Sequence, residues 1–296
     1  MVEQLNRRCG LPERLTFVED PVGFPMVQIQ HPDATARISL YGGQVLSFQP
    51  KSQAEDLLFL SSQAIFQRGT AIRGGIPLCW PWFGPDPDQQ GRPSHGLART
   101  QFWTVLKTDC LPEGAIEVQL GLTSDDHTLE IWPVPFQLRL TVTLSQTLHL
   151  SLESMNLGDQ TLRMTQALHT YLRIGGLQQM RITGLADTDY LDKVDQYRRK
   201  FQTGDLVIAG EVDRIYLTPP PTVQIHDPVL RRTLRVTSSG GNAVVVWNPG
   251  PAGRLKDLGS QDYEQFVCVE TANAGGNPVE LAPREAYTIC ALYQVD

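Results

Sequence analysis

Phe136-Gln-Leu-Arg-Leu-Thr-Val-Thr-Leu144 alternates apolar and polar residues without a break. Phe136, Leu138, Leu140, Val142 and Leu144 fall on one side of an extended chain, and Gln137, Arg139, Thr141 and Thr143 on the other. A period of two marks a strand with one dry face and one wet face. Thr147–Met155 repeats the pattern through Leu148, Leu150 and Leu152, and the short Ser145–Gln146 link makes the two a hairpin. Further strands are predicted at Arg14–Val18, Met26–Ile29, Ala34–Leu40, Gln44–Phe48, Phe102–Leu106, Ile116–Leu122, Leu162–Ile174, Thr222–Ile225, Ala243–Trp247, Phe266–Glu270 and Ala286–Tyr293. Helical signals are confined to short candidates at Asp195–Phe201 and Asp257–Tyr263. No apolar stripe of helical period persists over three turns. The expected fold is all-β: a large antiparallel sandwich or barrel with few short helices. The absence of repeats and linkers points to a single domain over residues 1–296.

Composition agrees. The 296 residues include 25 glycines and 21 prolines. Both residues disfavour helix interiors and suit turns. Lys+Arg is 25 against Asp+Glu 32, a net charge of −7, and the longest basic run is Arg198-Arg199-Lys200. That balance argues against nucleic acid as a partner. No apolar stretch approaches the ~20 residues that span a bilayer, and Met1–Gly10 carries no secretory pattern, so no membrane role is expected. Cys9, Cys79, Cys110, Cys268 and Cys290 are odd in number and form no CxxC, which suits free thiols in a reducing, cytoplasmic setting.

Four segments ask for more than packing. Arg68-Gly-Thr-Ala-Ile-Arg-Gly-Gly-Ile-Pro-Leu-Cys-Trp-Pro-Trp-Phe-Gly-Pro85 crowds proline, glycine and three large aromatics together. Pro77 and Pro81 forbid an uninterrupted central strand. Gly74–Gly75 lets the backbone approach something closely. Trp80, Trp82 and Phe83 could floor a sugar site; the plainer alternative is a rigid crossover with Arg73 in solvent. Ser94-His-Gly-Leu-Ala-Arg-Thr100 places His95 and Arg99 after a loop rich in Pro, Asp and Gln, as a functional loop or as a cap and a surface arginine. In Gln166–Ile174, alternation puts His169, Tyr171 and Arg173 opposite Leu168, Thr170 and Leu172. That polar row is either a groove wall or a solvated face. In Phe266–Pro278 an apolar strand ends in Glu270, at a mouth where burial and neighbouring cations would compete over its pKa, or simply in water. HExxH, CxxC, Walker A, GxGxxG and GxSxG patterns are all missing, so no metal or nucleotide cofactor is expected.

Together these segments resemble the hexose-6-phosphate mutarotase (glucose-6-phosphate 1-epimerase) family of the galactose-mutarotase-like, aldose 1-epimerase group. The resemblance is carried by Arg73-Gly-Gly-Ile-Pro-Leu-Cys-Trp-Pro-Trp-Phe-Gly84, His95-Gly-Leu-Ala-Arg99, Ala167-Leu-His-Thr-Tyr-Leu172, Glu211-Val-Asp-Arg-Ile-Tyr216 and Val269-Glu-Thr-Ala-Asn273. It implies a β supersandwich that interconverts the anomers of a hexose phosphate without a cofactor, its partner a small sugar phosphate; separately from the resemblance, a monomer is expected. By motif match, His169 is the implied general acid and Glu270 the general base. Arg73 and Arg99 would bind the phosphate, Asp213 a sugar hydroxyl, and His95 would lie beside the ring. Ser94 stands where some relatives carry a longer Gln.

The residue types suit the chemistry. Anomer exchange opens the ring as a base takes the C1 hydroxyl proton and an acid protonates the ring oxygen; rotation and closure reverse both roles. Histidine, with an unperturbed pKa of roughly 6.5, can serve either way, and a carboxylate is ready as base. Two guanidinium groups suit a phosphate, which they bond bidentately, better than a neutral sugar. Four other readings remain, the weakest a structural or interaction role, which would leave the loop aromatics and arginines without a task. An aldose 1-epimerase of unphosphorylated sugars would keep the acid and base. A carbohydrate-binding module would not need them on opposite sides of one sugar. A glycosidase would use two carboxylates ~5–9.5 Å apart, such as Glu270 with Asp213.

Overall fold

A computed structural model describes residues 1–296. Phe136–Leu144 and Leu148–Asn156 pair as the expected hairpin, and their buried residues alternate along both strands. They lie inside an eight-stranded sheet ordered Arg181–Thr183, Thr222–Asp227, Arg232–Ser239, Ala286–Val295, Leu148–Asn156, Phe136–Leu144, Ile116–Thr123 and Thr104–Cys110. A second eight-stranded sheet runs Arg198–Phe201, Asp189–Asp192, Val212–Leu217, Ala243–Asn248, Phe266–Asn273, Gln166–Leu168 and Leu78–Cys79, with Tyr171–Arg173 also on Phe266–Asn273. Four N-terminal strands, Leu15–Glu19, Pro25–Gln30, Ala34–Ser39 and Gln44–Pro50, form a third sheet. Every strand pairing is antiparallel. No helix is long and apolar enough to cross a membrane.

One cluster of 58 buried residues fills the space between the sheets and reaches from Leu15 to Tyr293. The second large sheet gives it Leu168, Leu172, Val244, Val246, Val267 and Val269. Two polar contacts cross the same interior: Thr170 Oγ1 to the Tyr293 hydroxyl at 2.6 Å, and Thr271 Oγ1 to Ser238 Oγ at 2.7 Å. The opposite face of that sheet carries two smaller apolar clusters. One gathers Cys79, Ala167, Ile215, Ala243, Val245 and Ala272; the other gathers Phe59, Tyr171, Leu258, Phe266 and Cys268. The polar residues singled out from the sequence sit between them.

The structure corrects several expected elements. Leu162–Ile174 is three short strands, Leu162–Met164, Gln166–Leu168 and Tyr171–Arg173, because the chain changes partners as it goes. Leu162–Met164 pairs with Val279–Leu281, and the other two with Phe266–Asn273. Asp195–Phe201 is not helical: a turn leads into the strand Arg198–Phe201, held by ladder bonds to Asp189–Asp192. The two α-helices, Val2–Cys9 and Asp126–Ile131, were not anticipated; the second starts with a capping box between Asp125 and Thr128.

Pro77 and Pro81 leave room for only the two-residue strand Leu78–Cys79, as donor loss at proline requires. The close approach expected at Gly74–Gly75 is real. A Cβ on Gly75, at φ +62°, would stand 2.2 Å from the Val45 carbonyl oxygen. Gly75→Ala should therefore cost at least about 2 kcal/mol, combining left-handed strain with a backbone clash. Gly91→Ala, at φ +79° with nothing within 4 Å, should cost only about 1 kcal/mol. Urea midpoints of the two variants check this; equal losses would mean that the crossover yields freely.

Candidate active site

The strand Phe266–Asn273 organises the site. Leu168 lies opposite Thr271 and Tyr171 opposite Cys268, in one unbroken register. His169 is thereby set directly across from Glu270. The pair sits at a non-hydrogen-bonded position: the His169 N–H points to the other side and donates to the Pro77 carbonyl at 3.0 Å, extending the ladder to Leu78–Cys79, and the Val269 N–H donates to Thr170 O at 3.2 Å, while the Thr170 N–H turns to Leu168 O at 2.9 Å. The two side chains share a face, with Nε2 of His169 3.5 Å from Oε1 of Glu270. They are 7% and 1% exposed. The expected strand end at Glu270 is thus corrected: the strand runs on to Asn273, and the carboxylate lies buried in mid-sheet.

A cleft of about 280 Å³ opens over this pair. Arg73, His95, Arg99, His169, Asp213 and Glu270 all line it, so the structure brings every site residue inferred from sequence to one place. Arg73 comes from the crossover before Pro77. Its Nη1 donates to the Tyr171 hydroxyl at 2.8 Å, and its Nε lies 3.2 Å from Asp257 Oδ1. Arg99 follows the His95 loop in a short 3₁₀ turn and donates to Ser94 O at 2.8 Å, with no carboxylate partner. Asp213, on Val212–Leu217, accepts from Lys193 Nζ at 2.6 Å.

His95 sits at φ +63°, and its Nδ1 accepts from the Gly84 N–H at 3.3 Å. That bond leaves the ring proton on Nε2, as a donor. Burial pushes its pKa down to about 3, and Arg99, Lys193 and Arg73 add to the effect, so the ring stays neutral. Burial also drives the Glu270 carboxyl well above the usual range, reinforced by Asp213 and opposed by Lys193 and Arg99. His169 moves the other way, through burial and then His95, Arg99 and Arg73. Both Glu270 oxygens and His169 Nδ1 lack a hydrogen-bond partner. Buried polar atoms are almost always satisfied, so an unpaired set on facing residues is what a missing ligand would complete.

A family model described as aldose 1-epimerase matches residues 25–294. The chain belongs to the aldose 1-epimerase family. It is 36% identical over 271 residues to a Salmonella typhimurium protein, covering 90% of each chain, and 37% identical over 252 residues to one from Escherichia coli, covering 84% of this chain and 83% of that one. Both carry the name "Putative glucose-6-phosphate 1-epimerase". The crystal structure of a "putative mutarotase" from Salmonella typhimurium superposes with a TM-score of 0.89 at 32% identity, covering 96% of this chain and 94% of that one. A galactose mutarotase-like protein from Clostridium acetobutylicum shares the fold, with a TM-score of 0.76 at 13% identity. The expected galactose-mutarotase-like β fold is therefore the observed one.

Within this family member, the expected aromatic floor needs correcting. Trp80 is fully buried in the main core, its Nε1 2.9 Å from Met164 Sδ. Trp82 donates to Pro93 O and packs under Arg92. Only Phe83 of the three reaches the cleft. The second aromatic wall is Trp247, from the strand Ala243–Asn248, opposite Asp213 in the ladder. Lys193 and Leu255 complete the lining, and Ser94 joins it, though its hydroxyl is spent on Gly84 O. Sequence reading missed Lys193 and Trp247; a lone tryptophan ending an all-apolar strand was the available signal for one, and Lys193 offered none. Donor atoms of His169, Cys268 and Glu270 lie within 4.8 Å of one another. That outer limit is wider than the about 3.4 Å between ligands on a tetrahedral zinc, so this trio would have to contract to hold one.

Burial of Glu270 sets a stability cost that depends on pH. The folded protein keeps a proton that the unfolded chain releases near its ordinary pKa of ~4.3. Stability attached to this group is therefore full below that pH and is lost as pH rises toward the folded pKa. Glu270→Gln, neutral at every pH, should melt a few degrees above wild type at pH 8, a gain on the order of 1 kcal/mol that vanishes near pH 4. A pH-independent difference in Tm, or a destabilised variant at pH 8, would contradict this account.

Proposed function

We propose that the chain interconverts the α and β anomers of a hexose 6-phosphate, glucose 6-phosphate foremost, by acid–base ring opening and closure. One observation carries the reading: His169 and Glu270 are neighbours, 3.5 Å apart, buried and facing one cleft. The two oxygens that exchange protons in a cyclic aldose, the hydroxyl and the ring oxygen, are both bonded to C1. An acid and a base that serve them must stand side by side. Their 3.5 Å separation supports a side-by-side arrangement in place of the opposite-sides one expected from the sequence.

The step balances within the pair. The proton that burial keeps on Glu270 in the free protein first passes to His169, 3.5 Å away, and Glu270 then takes the C1 hydroxyl proton as the hydroxyl oxygen becomes the aldehyde carbonyl. The bond from C1 to the ring oxygen breaks, and that oxygen receives the His169 proton. After rotation about C1–C2, the freed hydroxyl attacks the other face of the carbonyl. His169 recovers its proton, and protonated Glu270 returns one to the new anomeric oxygen. The neutral His95, with its proton on Nε2, is a donor to oxygens of the ring. Asp213, with Oδ1 unpaired, is an acceptor for a sugar hydroxyl.

The phosphate assignment rests on charge. Lys193 is matched by Asp213 and Arg73 by Asp257, but Arg99 faces the cleft with no acid against it. A phosphorylated sugar supplies that acid, and the names of the relatives agree. A binding module would have no need of the buried pair. A glycosidase would have no need of a histidine 3.5 Å from its carboxylate. The sugar phosphate and the five unpaired cysteines suit a cytoplasmic enzyme.

His169→Ala and Glu270→Gln should each lower kcat by roughly 10²–10⁴-fold. Together they should cost less than the product, because they act on one coordinate. NMR of freshly dissolved α-glucose 6-phosphate, against an enzyme-free blank, measures this; a folded variant with near-full activity would remove that residue from the mechanism. Wild-type kcat/KM should be bell-shaped in pH. On the acid side both groups are protonated and no base remains; on the alkaline side neither holds a proton and no acid remains.

Arg99→Ala should reduce the preference for glucose 6-phosphate over glucose by about 10–150-fold, the worth of a charge-assisted hydrogen bond. A wild-type enzyme indifferent to the phosphate would instead be an epimerase of free aldoses.

A further inference from the structure

Tyr171 touches both halves of the site. Its side chain is 1% exposed. Its ring stacks on the His169 imidazole, with centroids 5.0 Å apart and planes 12° from parallel. Its hydroxyl accepts from Arg73 Nη1 at 2.8 Å, and Arg73 is braced from the other side by Asp257. Trp247 and Phe266 close the remaining sides of the ring, at centroid distances of 6.0 and 5.2 Å. The backbone adds rigidity: the Tyr171 N–H donates to Gly75 O at 2.9 Å, and the Phe59 N–H to Tyr171 O at 3.0 Å.

We propose that Tyr171 is a positioning residue that ties the arginine on the phosphate to the orientation of the catalytic imidazole. This rests on the proposed phosphate reading with Arg73 as a second ligand beside Arg99: its contacts to Tyr171 through Nη1 and to Asp257 through Nε leave Nη2 for the phosphate. The ring and the hydroxyl do separable work. His169 Nδ1 has no hydrogen-bond partner, so the polar contact that usually fixes an imidazole plane is missing. The aromatic stack supplies that restraint. The hydroxyl holds the guanidinium toward the cleft, and a phosphate that draws on Arg73 pulls on the same tyrosine that backs His169. The phosphorylated end of the sugar is thereby registered at the ring that handles C1.

Two substitutions separate the parts. Tyr171→Phe keeps the stack and removes the acceptor. It should raise KM for glucose 6-phosphate roughly threefold to tenfold and lower kcat on that sugar about twofold or more, while the activity on free glucose falls much less. Tyr171→Leu removes the stack as well. It should lower kcat on both sugars by a further factor of about two to ten. Asp257→Asn loosens Arg73 from its other side with Tyr171 intact, and should reproduce the phosphate-specific rise in KM. Equal losses of Tyr171→Phe on both sugars, or an unchanged KM in both Tyr171→Phe and Asp257→Asn, overturn the coupling. A wild type that does not prefer the phosphorylated sugar refutes the phosphate reading itself, and the coupling with it; that outcome is seen without any variant.

Discussion

The site depends on one cross-strand pair. A β-ladder in register puts His169 opposite Glu270, and the pleat turns both to the same face. Side chains so placed are held within contact of each other by the backbone on either side. Nothing in a loop could hold an acid and a base beside one carbon atom as firmly. Pro77 offers a carbonyl to the His169 amide from the other side, so His169 is held between Leu78–Cys79 and Phe266–Asn273 with its donor satisfied. The crossover that brings Pro77 also brings Arg73. Its tight fit, through Gly75 against Gln44–Pro50 and through Gly74 against Phe59 and Leu60, therefore fixes the distance between Arg73 and the His169–Glu270 pair.

Burial of that pair has opposing consequences. A carboxylate and an imidazole without hydrogen-bond partners destabilise the folded chain. The apolar clusters on either side, around Ala167 and around Phe266, keep water from relieving them. The same dryness makes the pair reactive, since charge that develops on it is poorly screened. Stability is thus held by the interior between the two large sheets, where strands such as Phe136–Leu144 carry no functional residue at all.

Much of this was legible in the chain. Phe136–Asn156 reads as a hairpin because one face is core and the other solvent, and alternation reports that contrast directly. Strands buried on both faces give no such signal. Phe266–Asn273 has every residue buried, and its length was underestimated because Glu270 reads as an end when it is an interior acid. Arg198–Phe201 misled for the opposite reason: an exposed edge strand of charged residues has no apolar pattern, and only its ladder to Asp189–Asp192 makes it extended. At the site, charged and titratable residues stood out. The aromatics did not sort themselves, because Trp80 and Trp247 are chemically alike and only packing decides that one fills the core and the other faces the cleft. Lys193 was silent for a similar reason, since its role follows from the pairing that sets Asp189–Asp192 beside Val212–Leu217.

Charge links the two ends of the cleft. Arg99 acts against protonation of both His169 and Glu270, and in the free protein no acid offsets it. On the proposed reading, a phosphate dianion against Arg99 would cancel that influence. The bound pair then holds its single proton more tightly than the free pair does. The change raises the basicity of the group that must take a proton from C1, and it arises only when a phosphorylated sugar is in place. Free aldoses leave Arg99 uncompensated, so the acid–base pair meets them less basic. With Arg99 on the phosphate as proposed, a preference for the phosphorylated sugar would be expressed in the chemical step as well as in binding, through a cation that touches neither reacting oxygen.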